Sequence, residues 1–232
     1  MSSAHTIRNL IDAAREANLE VVQARLANGE SPNQTSINGK TPLHKAAYRG
    51  HFVVVEALLA KGANPNEKNI IGKTPLHEAA YGGHFAIVQA LLANGANPND
   101  QCLYGSTPLY VAAFHGHREA VEALLADNQT DPRLPDLWGE TAARAAEREG
   151  HADISTTIQA RIAEKDRQDR RWSPLRAAWM GTAARLQVRK NGSEFGSPSP
   201  EIGASALAGG GSAGALDEKK DAGKPDPGCS IS

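Results

Sequence analysis

Small and apolar side chains fall into two short stripes between Thr74 and Asn99, TPLHEAAYGGHFAIVQALLANGANPN, with polar residues filling the positions around them. The first stripe is Leu76, Ala79 and Ala80. It follows Thr74 and Pro75, where a threonine hydroxyl can cap free backbone N–H groups and proline takes the first helical position without losing a hydrogen bond. A short helix is predicted there, its narrow face allowing a neighbouring helix to approach closely, until Gly82 and Gly83 interrupt it. His84 opens the second stripe. Ile87, Val88, Leu91 and Leu92 recur at three- and four-residue intervals and predict an amphipathic helix closing at Gly95, which can take the left-handed conformation. Pro98 and Gly105 mark residues 96 to 106 as an extended turn.

The same pattern stands at 41 to 66, TPLHKAAYRGHFVVVEALLAKGANPN, and returns 33 residues later at 107 to 132, TPLYVAAFHGHREAVEALLADNQTDP. A helix, a tight turn, a second helix and a loop cannot bury their own apolar faces, so the copies must stack. Residues 7 to 33 keep Leu10, Ala13, Ala14, Val21, Val22, Leu26 and Gly29 but lose the Thr-Pro start, and Arg25 replaces the first leucine of the LL pair. That suits a terminal copy whose outer face meets water. In the fourth copy Asn128 stands at the closing glycine, where asparagine is expected to enter the left-handed region. Its loop, DPRLPDLWGE, reads as one residue longer than its counterparts. The fifth copy, TAARAAEREGHADISTTIQARI, carries Ser155, Thr157 and Gln159 where earlier copies have Val, Ala and Leu, and reads as a C-terminal cap. The expected domains are an N-terminal cap at 1–39, three internal copies at 40–139 and a second cap at 140–169.

Three motifs carry a resemblance: TPLH at 41–44 and 74–77, AA-x-x-GH at 46–51, 79–84 and 112–117, and LL-x-x-GA at 58–63 and 91–96. The chain resembles the ankyrin repeat family. The fold class this implies is all-α, an ankyrin-repeat solenoid of about five helix-turn-helix repeats with projecting loops, followed by a disordered tail. The resemblance also implies a concave groove lined by loop tips and first helices, in which another protein binds. Carried onto this sequence, the tip pairs are Ile37 and Asn38, Ile70 and Ile71, Leu103 and Tyr104, and Leu137 and Trp138. The first-helix sites are Tyr48 and Arg49, Tyr81 and Gly82, and Phe114 and His115. Tyr and Trp on a rigid scaffold give large contact area at little entropy cost.

Histidine chemistry changes this picture little. Of eight histidines, His44 and His77 fill the TPLH slot, where the resemblance implies an imidazole bonded back to threonine and nearby backbone. His51, His84, His117 and His151 follow the inter-helix glycine. His115-x-His117 falls short of the three protein ligands a zinc site needs, so neither a metal nor another cofactor is expected. No nucleophile-base pair or phosphate loop is recognised, and the chain reads as non-enzymatic. The net charge of −1 favours no particular partner, and no direct nucleic-acid binding is expected. Two cysteines suit a reducing compartment, and neither a secretory leader nor an apolar run near 18 residues is recognised. A cytoplasmic monomer is the expectation.

Residues 170–190, RRWSPLRAAWMGTAARLQVRK, hold six basic residues and no acidic one. Two readings stand: a basic amphipathic helix touching an anionic membrane or acidic partner, or a last helix packed on the end of the stack. Residues 191–232 are rich in Gly, Ser and Pro and read as a disordered tether with a reach on the order of 35 Å. Cys229-Ser230-Ile231-Ser232 resembles a C-a-a-X prenylation signal, with Cys229 the lipidation site. The function expected is an adaptor or scaffold, tethered to a membrane if prenylated. The alternative is a soluble or nuclear regulator such as a transcriptional co-regulator.

Overall fold

A computed structural model describes residues 9–170. Five helix pairs follow one another: α1 (Leu10–Arg15) with α2 (Leu19–Ala27), α3 (Pro42–Arg49) with α4 (Phe52–Ala60), and α5 (Pro75–Tyr81) with α6 (Phe85–Ala93). Then come α7 (Pro108–Phe114) with α8 (Arg118–Ala126), and α9 (Ala142–Arg148) with α10, which runs from 152 to 170. Among the described residues there is no strand, only an isolated bridge between Pro135 and Thr141. Each short first helix packs against the next in the series α1, α3, α5, α7, α9, and the second helices form a parallel row. The packed unit described here ends at Lys165.

The helix starts follow from the threonines. Thr41 accepts the His44 N–H and Thr107 accepts the Tyr110 N–H, each with proline at the next position. The terminal repeat, lacking Thr-Pro, uses asparagine: Asn9 caps α1 and Asn18 caps α2. Paired alanines on the first helices, Ala46 with Ala47 through Ala145 with Ala146, are wholly buried, and their small size is what lets those helices lie close. Leu43, Leu58, Leu76, Leu91, Leu109 and Leu124 fill the space between the rows, each burial stabilising the stack by about 2 kcal/mol.

The inter-helix turns lock one repeat onto the next. Gly50, Gly83 and Gly116 take positive φ, and a side chain there would strike the following repeat: a Cβ on Gly50 would lie 2.6 Å from the His84 ring. Those rings donate back, His51 Nε2–H to the Arg15 carbonyl, His84 to Tyr48 and His117 to Tyr81, at 2.9, 3.2 and 2.9 Å. In the first repeat the glycine slot holds Ala17, at φ 56° the one left-handed non-glycine among the described residues. The loops are stitched the same way, with Asn33, Asn66 and Asn99 each accepting the N–H of Asn64, Asn97 and Asp131 at 2.7 Å.

That stitching corrects the reading of the fourth repeat. Asp131 matches Asn64 and Asn97, and from each of them the next capping threonine is ten residues on, so the loop is not longer. The extra residue lies before Asp131, at the end of α8. Nor does Asn128 turn left-handed, because the chain already leaves the helix at Asp127 in an extended conformation. The reason is tertiary. Arg161 donates to Asn128 Oδ1 at 2.9 Å, Lys165 donates to the Asn128 and Thr130 carbonyls at 3.0 and 2.5 Å, and the Thr130 hydroxyl donates to the Leu124 carbonyl. Carbonyls that a glycine closure would satisfy are met by α10 instead.

In α10, Ile154 and Ile158 keep their buried places and Ser155 is buried as well. Apart from Arg170, the basic segment 170–190 lies outside the described residues, as do the tail 191–232 and Cys229. No described helix is long and apolar enough to cross a membrane.

Candidate protein-binding face

Two rows of side chains stand out from the stack. The first occupies one position near the end of each first helix, seven residues past the capping threonine where one is present, and reads Arg15, Tyr48, Tyr81, Phe114, Arg148. Tyr48 and Tyr81 stack with centroids 5.6 Å apart. His115 wedges edge-on between Tyr81 and Phe114, at 4.7 and 5.0 Å. Cations lie against the rings: Lys40 5.9 Å from Tyr48, Lys73 5.7 Å from Tyr81, and Arg148 5.4 Å from Phe114. Lys40 also pairs at 3.3 Å with Glu78, whose side chain is 5% exposed.

Buried polar groups hold this row in place. In His44 and His77, Nδ1 accepts the backbone N–H of Thr41 or Thr74, so Nε2 carries the proton and donates to the carbonyl of Lys73 or Ser106, at 2.9 and 3.0 Å. Burial disfavours the charged imidazole at both sites and pushes His77 down to about 3. The third repeat has Tyr110 in this slot. Its hydroxyl donates to Glu140 Oε2 at 2.7 Å, and burial together with that carboxylate raises its pKa. Glu140 in turn faces Arg148 at 3.7 Å, so Tyr110 ties the third repeat to the last ring-facing cation.

The second row is the loop tips. Each tip is closed by a short turn, such as Asn69 N–H to Lys73 carbonyl, and each is bonded to the next. The N–H groups of Ile70, Leu103 and Leu137 donate to the carbonyls of Asn38, Ile71 and Tyr104 at 3.2, 3.0 and 3.1 Å. This ladder sets Ile37, Ile70, Leu103 and Leu137 in line at 97, 57, 63 and 71% exposure. Tyr104 and Trp138 stack beside them with centroids 6.4 Å apart.

A family model for ankyrin repeats in three copies matches residues 10–102, 73–136 and 86–169. The chain belongs to the ankyrin repeat family. None of the curated proteins compared with it matches. Ankyrin repeats are protein-interaction modules, and that is the class of activity these repeats supply.

On this ankyrin stack the sequence-read sites separate into two groups. Tyr48, Tyr81, Phe114 and His115 join in one aromatic column, and Tyr104 and Trp138 join at the tips. Ile37, Ile70, Leu103 and Leu137 are exposed, Asn38 and Ile71 are half-buried and supply ladder carbonyls, and Arg49 is exposed on α3. Gly82 caps α5 with its Cα packed near His84, leaving no room for a side chain. Sequence reasoning missed Lys40, Lys73 and Arg148 as the cations against the rings. The signal was present: in the aligned copies, lysine precedes the capping threonine twice, and arginine stands in the ring position at both ends. Among the described residues no group of three or more His, Cys, Asp or Glu is placed to hold a metal ion.

Proposed function

We propose that this ankyrin repeat protein is a binding adaptor that captures another protein along its loop tips and first helices, without turnover. The observation that carries this reading is the exposed row Ile37, Ile70, Leu103 and Leu137, held in register by backbone bonds and flanked by the Tyr104 and Trp138 stack. A contiguous exposed apolar stripe on a rigid frame favours association, and its frame is already ordered before the partner arrives. Replacing Tyr104 and Trp138 together by alanine is expected to abolish partner capture in a pull-down while circular dichroism stays unchanged. Undiminished capture by a normally folded variant would remove the assignment.

The adaptor is proposed to act as a cytoplasmic monomer. Attachment to a membrane through Cys229 is proposed on the residues Cys229-Ser230-Ile231-Ser232, with segment 170–190 as the second, basic contact. Expression of the chain and of Cys229→Ser in eukaryotic cells with a labelled prenyl precursor tests it. Label and membrane sedimentation confined to the unaltered chain support the tether. Two unlabelled chains, both soluble or nuclear, favour the co-regulator reading.

A further inference from the structure

The stack is not evenly charged along its ring column. At the Arg15 end, α3 presents Lys45 and Arg49 one turn apart on the same helix face, with Tyr48 between them in sequence. Neither cation has an ion-pair partner among the described residues, whereas Arg15 is taken up by Asp12 and Glu16 and Lys40 by Glu78. Lys45 is half-buried. Its ammonium is disfavoured first by burial and then by the positive charge of Lys40, with Arg15 and Arg49 adding to it and Glu78 opposing. At the other end Arg148 is balanced by Glu140 and Glu149. The crowded, uncompensated charge therefore sits on one side of the Tyr48 and Tyr81 stack.

We propose that this face takes an acidic peptide segment of the partner, its carboxylates set against Lys45 and Arg49 and an apolar side chain laid along Tyr48 and Tyr81. The proposal rests on the protein-binding reading above and specifies its partner. An anion placed there relieves the repulsion among the cations, and the stacked rings offer apolar area beside it, so charge and surface select the same kind of ligand. Polarity follows as well. The acidic end of the segment lies over α3 and its uncharged end runs towards Phe114, because past Glu78 the positions matching Lys45 are Val111 and Ala145.

A displayed library of random twelve-residue peptides, selected on the immobilised full chain, is the probe. Enrichment of Asp and Glu next to an apolar residue is expected. One selected peptide, labelled and followed by anisotropy, should bind Lys45→Glu with Arg49→Glu at least about tenfold more weakly, and the milder Lys45→Gln with Arg49→Gln by an intermediate factor. Raising salt should weaken the unaltered chain more than either variant. Peptides without acidic enrichment that bind all three chains alike overturn the proposal while leaving protein capture intact. A library that yields no binder on the unaltered chain, in a preparation whose loop-tip variant has lost a partner the unaltered chain captures, also overturns it. Loss of the charge preference in the glutamine variant, with helical dichroism unchanged, supports it even if the glutamate variant fails to fold.

Discussion

Replacing Cys102 by asparagine should stabilise the third loop and with it the tip that presents Leu103 and Tyr104. In the second and fourth loops the matching residues are Asn69 and Asp136. Each accepts two backbone N–H groups, Ile71 and Lys73 at 3.0 and 2.9 Å in one loop, Trp138 and Glu140 at 2.9 Å each in the other. Cys102 is a free thiol, and among the described residues no hydrogen bond reaches it from Tyr104 or Ser106. All three side chains occupy equally closed places, with Asn69, Cys102 and Asp136 each 6% exposed, so the larger amide has a tested geometry to adopt. Two added bonds at about 1 kcal/mol each, less about 1 kcal/mol for the thiol's lost burial, leave a net gain of about 1 kcal/mol. For a folded unit of this size that is a rise in Tm of about 2–4 °C. Urea unfolding of the two chains, followed by circular dichroism, measures it. Cys102→Ser serves as a control and should change little, since Ser36 in the first loop accepts only one N–H, that of Lys40. An unchanged or lowered midpoint for the asparagine variant would refute the claim that the thiol leaves this turn underbonded.

Three further outcomes are expected. Ala17→Gly should raise stability by about 0.5–1 kcal/mol, because a left-handed alanine costs about 1–2 kcal/mol and glycine's freedom in the unfolded chain returns part of that; a lower urea midpoint contradicts the strain. Tyr110→Phe should cost about 1–2 kcal/mol by leaving the half-buried Glu140 carboxylate without its 2.7 Å donor, and equal Tm values for the two chains would show that bond to be worthless. Stability should fall on acidification. His77 is held neutral in the fold, down to about 3, while in the unfolded chain it protonates near 6.5, so the unfolded state binds the extra proton as pH drops through that window. At pH 5 His77 alone removes about 2 kcal/mol relative to pH 8, and the loss is complete near pH 3. Denaturant midpoints at pH 8 and pH 5 test this, and His77→Asn should flatten the slope.

Local signals in the chain were sufficient for the repeat itself. Thr-Pro starts, paired alanines, inter-helix glycines and the LL pair are read within one copy, because capping, close approach and left-handed closure involve residues a few positions apart. Self-similarity at 33 residues then required stacking, since no copy can bury its own faces. The loop-tip row was also legible, as its members sit at one fixed place in each copy. Tyr104 and Trp138 stood in the reading as neighbours in register, and their stacking follows from the ladder between loops.

Contacts 29 to 37 residues apart decided the rest. Whether Asn128 closes α8 in a left-handed turn depends on Arg161 and Lys165, which reach it from the last helix, and no local propensity contains that information. Tyr110 looks like a lapse from TPLH until Glu140 is brought to its hydroxyl, and Lys40 looks like a solvated charge until Glu78 and Tyr48 flank it. By itself the sequence determined the repeat, its number and its register. Only the stacked structure decided which cations face rings, which are already neutralised and which are left for a partner, because charge balance is a property of the distances between repeats.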